Sequence, residues 1–248
     1  MDLALAASAL APGLALGSFL NVVAARLPEQ RSLLASRSSC RCCGNAIAWR
    51  DNVPLVSYAL LRGRCRTCRS RIGLLYPAVE LATALLVAGS ILAFGASLRA
   101  LAAAVFCSAL VVVTATDIER RIVPNRVVGP ASVLVLGLMT AARPSPEWAI
   151  AAAAGCAFLL AAALVYPAGM GMGDVKLAFL MGAALGRHVT VALMLGFLAA
   201  LVPSVVLLAR HGKRARKMRI PLAPFLVLGS VVALFAGGRL VGWYLGAF

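Results

Sequence analysis

Charge is scarce in this chain, and negative charge scarcer still. Of its 248 residues 13% are Asp, Glu, Lys or Arg, and only eight are acidic against 24 that are basic. An ordinary soluble domain carries about a quarter charged residues, so the deficit excludes one large soluble domain and two small ones alike. Histidine is nearly missing as well. Neither His188 nor His211 has an acidic partner in the sequence, which leaves no Ser-His or His-metal arrangement to build a site on.

Apolar residues take the vacated share, at 62% of the chain with a mean hydropathy of +0.94. The runs long enough to cross a hydrocarbon core extend from Leu3 to Ala25, Leu74 to Leu98, Ala100 to Thr116, Val127 to Ala142 and Trp148 to Ala168. A short run from Asp174 to about Leu185 follows, then Val189 to Ala209 and Pro221 towards Phe248. The expectation is an all-α polytopic membrane protein of about eight transmembrane helices, the sixth unusually short. The first run has no basic flank before it and Arg26 and Arg31 after it, so it reads as an uncleaved anchor rather than a secretory signal.

A formal net charge of +16 suggests nucleic acid in a soluble protein, but the placement of the charge says otherwise. Nineteen of the 24 Lys and Arg fall between Arg26 and Arg71, Arg120 and Arg126, and Arg210 and Arg219. With eight spans these three segments lie on one side of the membrane, and the positive-inside rule makes that side cytoplasmic. Membrane topology therefore accounts for the basicity, and membrane lipid rather than nucleic acid is the expected surrounding partner. The opposite connections carry only Arg99, Arg143 and Arg187.

The long polar segment after the first span holds Cys40, Cys43, Cys65 and Cys68, two C-x2-C pairs separated by 21 residues, with Cys42 left over. Four thiolates so spaced can close a tetrahedral Zn2+ site. Disulfides are the alternative, disfavoured in a reducing cytoplasm. A closed four-thiolate site has no open position for water, so its role is to fold a loop too polar to build a core. Cys107 and Cys156 lie inside apolar runs and read as small core residues.

Each of the eight carboxylates can be weighed. Asp2, Glu29, Asp51 and Glu147 lie outside the spans and read as solvated charges, leaving Glu80, Asp117, Glu119 and Asp174. Asp117 ends the third span in TATDIERRIVPN and Asp174 opens the sixth in GMGDVKLA, so the two share a depth at the cytoplasmic side. Two close carboxyls sharing one proton can activate water with one member and polarise a peptide carbonyl with the other. Gly171 and Gly173 would let a substrate backbone approach closely, although Asp174 in this motif can also be a helix-capping residue. Helix polarity suggests that Asp117, at a helix C-terminus, holds the shared proton unless Arg120 or Arg121 points at it. Glu80 either binds substrate or cofactor or pairs with an Arg, Lys176 either snorkels or tunes the site, and Asn21 either acts or bonds a neighbouring helix.

Taken together, GSFLNVVAARLP from Gly17, the cysteine loop, YPAVELATALL from Tyr76, TATDIERRIVPN, GMGDVKLA and RIPLAPFLVLG make the chain resemble the type IV prepilin peptidases, intramembrane GxGD-type aspartyl enzymes also called leader peptidase/N-methyltransferases. The resemblance covers nearly the whole length. It implies a bacterial inner-membrane enzyme that cleaves prepilins and pseudopilins after Gly at the cytoplasmic face and methylates the new N-terminus with S-adenosylmethionine. Asp117 and Asp174 match the catalytic pair, and Cys40, Cys43, Cys65 and Cys68 the cytoplasmic cysteines. Members limited to cleavage often lack that loop, so its presence favours both activities over a leader peptidase alone. The implied organisation is a first helix over 1–25, a zinc loop over 26–73 associated with methyl transfer, and a peptidase domain over 74–248. One departure stands out: the family reads Pro-Phe-Gly-Pro where this chain has Pro221, Leu222, Ala223 and Pro224, a change expected to bear on a turn and leave the aspartates alone.

Overall fold

The computed structural model describes residues 2–32, 38–166, 170–212 and 221–246. The basic run Lys213–Arg219 and the last two residues of the chain therefore lie outside the described residues. Among those described the protein is all-α, as expected, and seven stretches are long and apolar enough to cross a membrane. The seventh expected boundary differs in form: the short sixth run and the seventh join in one apolar stretch, Met172–His211, broken by a turn at Gly186.

Helices α1 (Asp2–Ser8) and α2 (Leu10–Arg26) make up the first span. Their break follows from Pro12, which has no N–H to give and whose ring crowds the carbonyl four residues back, at Ser8. A polar loop, in which α3 (Val56–Leu60) is the one α-helix among the described residues, leads to α4 (Leu75–Phe94). Then come α5 (Leu98–Arg120), α6 (Asn125–Ala142), α7 (Glu147–Val165), α8 (Met172–Leu185), α9 (Val189–His211) and α10 (Ala223–Gly246).

Two of these form the core. At 14 residues α8 spans about 21 Å, too short for a hydrocarbon core of about 30 Å, but nine of its residues are buried. It is a central post, shielded from lipid by α5, α6, α7 and α10. The other is α5, with thirteen buried residues, which faces α8 with Phe106, Leu110 and Val113 and faces α2 and α4 with Val111, Val112 and Ala115. Large apolar side chains such as Val133, Leu164 and Val202 point outward, as a bilayer solvent requires.

The α2–α4 pair meets at close range because Gly17 has no side chain: a Cβ there would sit 2.6 Å from Glu80 Cα. Asn21 bonds the neighbouring helix, its Nδ2 donating to the Tyr76 carbonyl at 3.0 Å.

Candidate active site and metal-binding loop

The last turn of α5 carries Asp117, and the left-handed residue Arg121 (φ +55°) closes that helix. Pro124 then sets the entry to α6, so residues 117–125 form a tight helix–turn–helix. This turn packs onto the start of α8 at two points. Lys176 Nζ donates to Asn125 Oδ1 at 3.0 Å, and Val123 lies directly over Gly173. Lys176 is thereby a strut between α8 and α6, which supplies a function for the Asn and the Lys of the two motifs.

The consequence is that Asp117 and Asp174 come within electrostatic reach of one another. Asp117 is buried at 7% exposure, and its Oδ2 has no hydrogen-bond partner among the described residues. A buried carboxylate oxygen without a partner is costly, and such a group calls for a proton, a water or a substrate. Asp174 occupies the first turn of α8, with the Gly171 N–H donating to its carboxylate and its own N–H returning to the Gly171 carbonyl at 3.1 Å. The capping function and the electrostatic contact with Asp117 coexist in one side chain.

Two expectations need correction. The departure at Ala223 does touch the aspartates: Ala223 is fully buried at the first position of α10, and its N–H donates to Asp117. Asp117 thus sits at the C-terminus of its own helix and at the N-terminus of another, which removes the polarity difference that would have assigned it the proton. Of the two arginines, Arg120 turns away, its Nη2 donating to Glu29 Oε1 at 2.6 Å, whereas Arg121 stays within electrostatic reach of Asp117.

Glu80 lies apart from this turn. Its Oε2 accepts the Leu55 N–H at 2.9 Å and its carboxylate also takes the Ser18 hydroxyl. Leu55 has φ +57°, a strained conformation for a bulky residue, so Glu80 pins a bend of the polar loop to the membrane helices.

In the loop, the sulfurs of Cys40, Cys43, Cys65 and Cys68 all lie within 4.8 Å of one another. Cys40 Sγ and Cys68 Sγ are 3.7 Å apart, close to the edge of about 3.8 Å expected for a tetrahedron with Zn–S bonds of about 2.3 Å. The N–H groups of Cys43 and Cys42 hold the Cys40 thiol down, to about 6, toward the thiolate a metal needs. These four residues fit zinc.

The loop is a twofold repeat that sequence reasoning missed, although its signal was present: Ser39–Ile47 and Arg64–Ile72 align with Cys, Arg, Cys and Ile in register. In both halves the first Cys donates its N–H five residues on, Cys40 to Asn45 and Cys65 to Ser70, each at 2.9 Å. Left-handed Gly44 and Arg69 follow the second Cys of each pair. Cys42 matches Thr67 and stays outside the ligand group. The equivalent arginines diverge. Arg66 clamps Asp51 at 2.8 and 2.6 Å, whereas Arg41 reaches both oxygens of Glu119 at 3.4 Å and covers the Tyr76 ring. Glu29 and Asp51, read as solvated charges, are thus ion-pair partners, while the side chain of Asp2 lies outside the described residues.

The packing at Gly173 yields a direct test. A Cβ there would approach Val123 Cβ at 2.7 Å, so Gly173→Ala should cost about 1–3 kcal/mol and displace Asp174 from Asp117. Leader-cleavage assays should show Gly173→Ala impaired and the double variant with Val123→Ala largely recovered. Equal loss in both would put the glycine's importance elsewhere.

Comparison with known proteins gives a consistent result. Residues 12–94 match the Bacterial Peptidase A24 N-terminal domain and residues 104–208 match the Type IV leader peptidase family. The chain is 34% identical to a prepilin leader peptidase/N-methyltransferase of Bacillus subtilis, covering 94% of this chain and 95% of that protein. It is also similar to proteins of the same name from Burkholderia pseudomallei (34% identical; 93% and 85% covered) and Aeromonas salmonicida (31%; 94% and 91%). No solved structure matches.

Proposed function

From the premise that this chain belongs to the type IV leader peptidase family, as a multi-pass membrane aspartic peptidase with N-methyltransferase activity, we propose that Asp117 and Asp174 are its catalytic pair and that prepilins and pseudopilins are its substrates. The observation that carries the assignment is that the packing of the α5–α6 turn on the start of α8 brings the two carboxyls within electrostatic reach, with Asp117 Oδ2 buried and without a hydrogen-bond partner among the described residues.

With one proton shared between the pair, the ionised carboxylate takes a proton from water as the water oxygen attacks the scissile carbonyl carbon. The protonated carboxyl meanwhile donates to the carbonyl oxygen. Collapse of the resulting diol breaks the C–N bond, and a proton returned by the pair completes the leaving amine. Gly171 leaves the approach to Asp174 free of a side chain, Gly173 seats Val123 of the α5–α6 turn, Lys176 holds α8 against α6, and Glu80 holds the loop against α2 and α4.

Cleavage is proposed to occur after Gly at the cytoplasmic face of the bacterial inner membrane. The supporting reason is that the loop rich in Arg lies at the same end of the bundle as the two carboxyls, where its Arg41 reaches Glu119. Zinc on Cys40, Cys43, Cys65 and Cys68 is proposed as structural. S-adenosylmethionine, when bound, would supply the methyl group for the new N-terminal amine.

Mass spectrometry of a prepilin co-expressed with this protein tests the reading. The expected product lacks its leader and is about 14 Da heavier than the bare cleaved chain, one methyl in place of a hydrogen. Cleavage without the added mass would remove the methyltransferase half, and an intact leader would leave a noncatalytic scaffold.

A further inference from the structure

The end of the bundle remote from the aspartates holds a cavity that the peptidase reading does not use. Arg99 begins the helix that Asp117 ends, 18 residues or about 27 Å away. Around it the three arginines of the connections at this end, Arg99, Arg143 and Arg187, converge on a single cavity of about 270 Å3 together with Glu147, Trp148 and His188. They come from three separate connections, so their meeting is a product of the tertiary fold and not of sequence proximity.

The charges there are not neutralised by the protein. Among the described residues no carboxylate oxygen lies within 4.0 Å of any of the three guanidiniums. Glu147 is committed elsewhere by one oxygen, its Oε1 accepting the Arg187 backbone N–H at 3.1 Å. Arg99 rests on the Phe94 ring at 5.5 Å, and Trp148 Nε1 is held by the Arg143 carbonyl at 3.0 Å, so both aromatic walls are fixed. Three arginines against one glutamate leave the lining positive by two with His188 neutral. The helices α5, α7 and α9 begin at this end while α4, α6 and α8 finish there, so the helix dipoles offset one another and the positive sign comes from the arginines. The floor is apolar, from buried Ala102, Ala103, Met139 and Leu185.

All three arginines are exposed at the rim of the cavity, where solvent screens their mutual repulsion, and their guanidinium forks are free to match phosphate oxygens. At about nine times the volume of one liquid water, the cavity takes a phosphate with a small substituent. We propose that this cavity is a phosphate-binding site, taking the phosphate head of an anionic amphiphile at the arginines with its apolar part on the floor. A membrane phospholipid is one source of that chemistry and a soluble phosphate ester the other.

Native mass spectrometry of the full-length protein released from nanodiscs separates the sources. With equal phosphatidylglycerol and phosphatidylcholine, one phosphatidylglycerol should be retained that Arg143→Gln holds about tenfold more weakly and Arg143→Lys still holds, the loss of one charge-assisted contact. The triple Gln variant at Arg99, Arg143 and Arg187 should lose that lipid while still cleaving leaders. Replacing Arg50, Arg69 and Arg126 at the other end should leave it in place. Saturable binding of inorganic phosphate or glycerol 3-phosphate in delipidated detergent, with the same dependence on Arg143, assigns the site to a soluble phosphate. If the unmodified protein prefers neither phosphatidylglycerol nor any phosphate, the proposal is overturned. The same holds if its preference is lost with the Arg50, Arg69 and Arg126 set rather than with Arg143.

Discussion

Asp117→Asn and Asp174→Asn should each abolish leader cleavage, by about 10^4-fold or more, while leaving the protein inserted and folded. An amide keeps the size and one acceptor of the carboxyl but cannot share a proton, and neither partner can serve as acid and base alone. The structure adds two controls. Glu119 lies two residues from Asp117 on the opposite face of α5 and binds Arg41 at an exposed site, so Glu119→Gln should lower cleavage by no more than about fivefold. Asp174→Asn keeps an acceptor for the Gly171 N–H, so a folding defect would not explain its inactivity. Cleavage at near-normal rate by either Asn variant would refute the assignment of the pair.

Loss of a single thiolate should have the second large effect. Cys40→Ser should bring bound zinc, measured by elemental analysis of the purified protein, well below one per chain, because a closed four-thiolate site cannot replace a ligand. Methyl transfer should fall much further than leader cleavage. The aspartates are held by α5, α8 and α10 within the bundle, whereas the polar contacts of the cysteine loop with the bundle are, among the described residues, few: Glu80 to Leu55, and Arg41 to Glu119 and over the Tyr76 ring. Unfolding the first cysteine turn releases Arg41, an exposed pair whose loss costs at most about 1 kcal/mol and disturbs the Asp117 turn only slightly. A protein that carries no zinc when purified, with a Cys40→Ser variant that cleaves and methylates normally, would dismiss both the metal and its link to methyl transfer.

The helices and the residues at their ends were legible in the sequence for a simple reason. A bilayer demands long uninterrupted apolar runs, so every run registered, and every carboxylate near a run stood out as an expense. The cysteine spacing was legible because a tetrahedral site needs short loops with fixed offsets. Even the loop's internal repeat was available from residues 39–47 and 64–72, had the two pairs been aligned with each other.

What a linear pattern could not supply was which ends meet and what lies between them. The sequence placed Asp117 and Asp174 at one depth, but depth is a single coordinate. Their coming within electrostatic reach depends on Val123 seated over Gly173 and on Lys176 joined to Asn125, contacts between turns about 50 residues apart. Ala223 shows the limit most clearly. As a letter it was a departure from a motif, and as a folded residue it is the buried first turn of α10, giving its N–H to Asp117. Glu80 was an ambiguous carboxylate until the loop folded back to offer it the Leu55 N–H. Composition and periodicity determined that this chain is a helical membrane protein with two candidate acids and four candidate ligands, because burial in lipid and metal geometry act on short stretches. Tertiary packing alone decided the partners of those groups, because hydrogen bonds and charge interactions act over a few ångströms between segments distant in the chain.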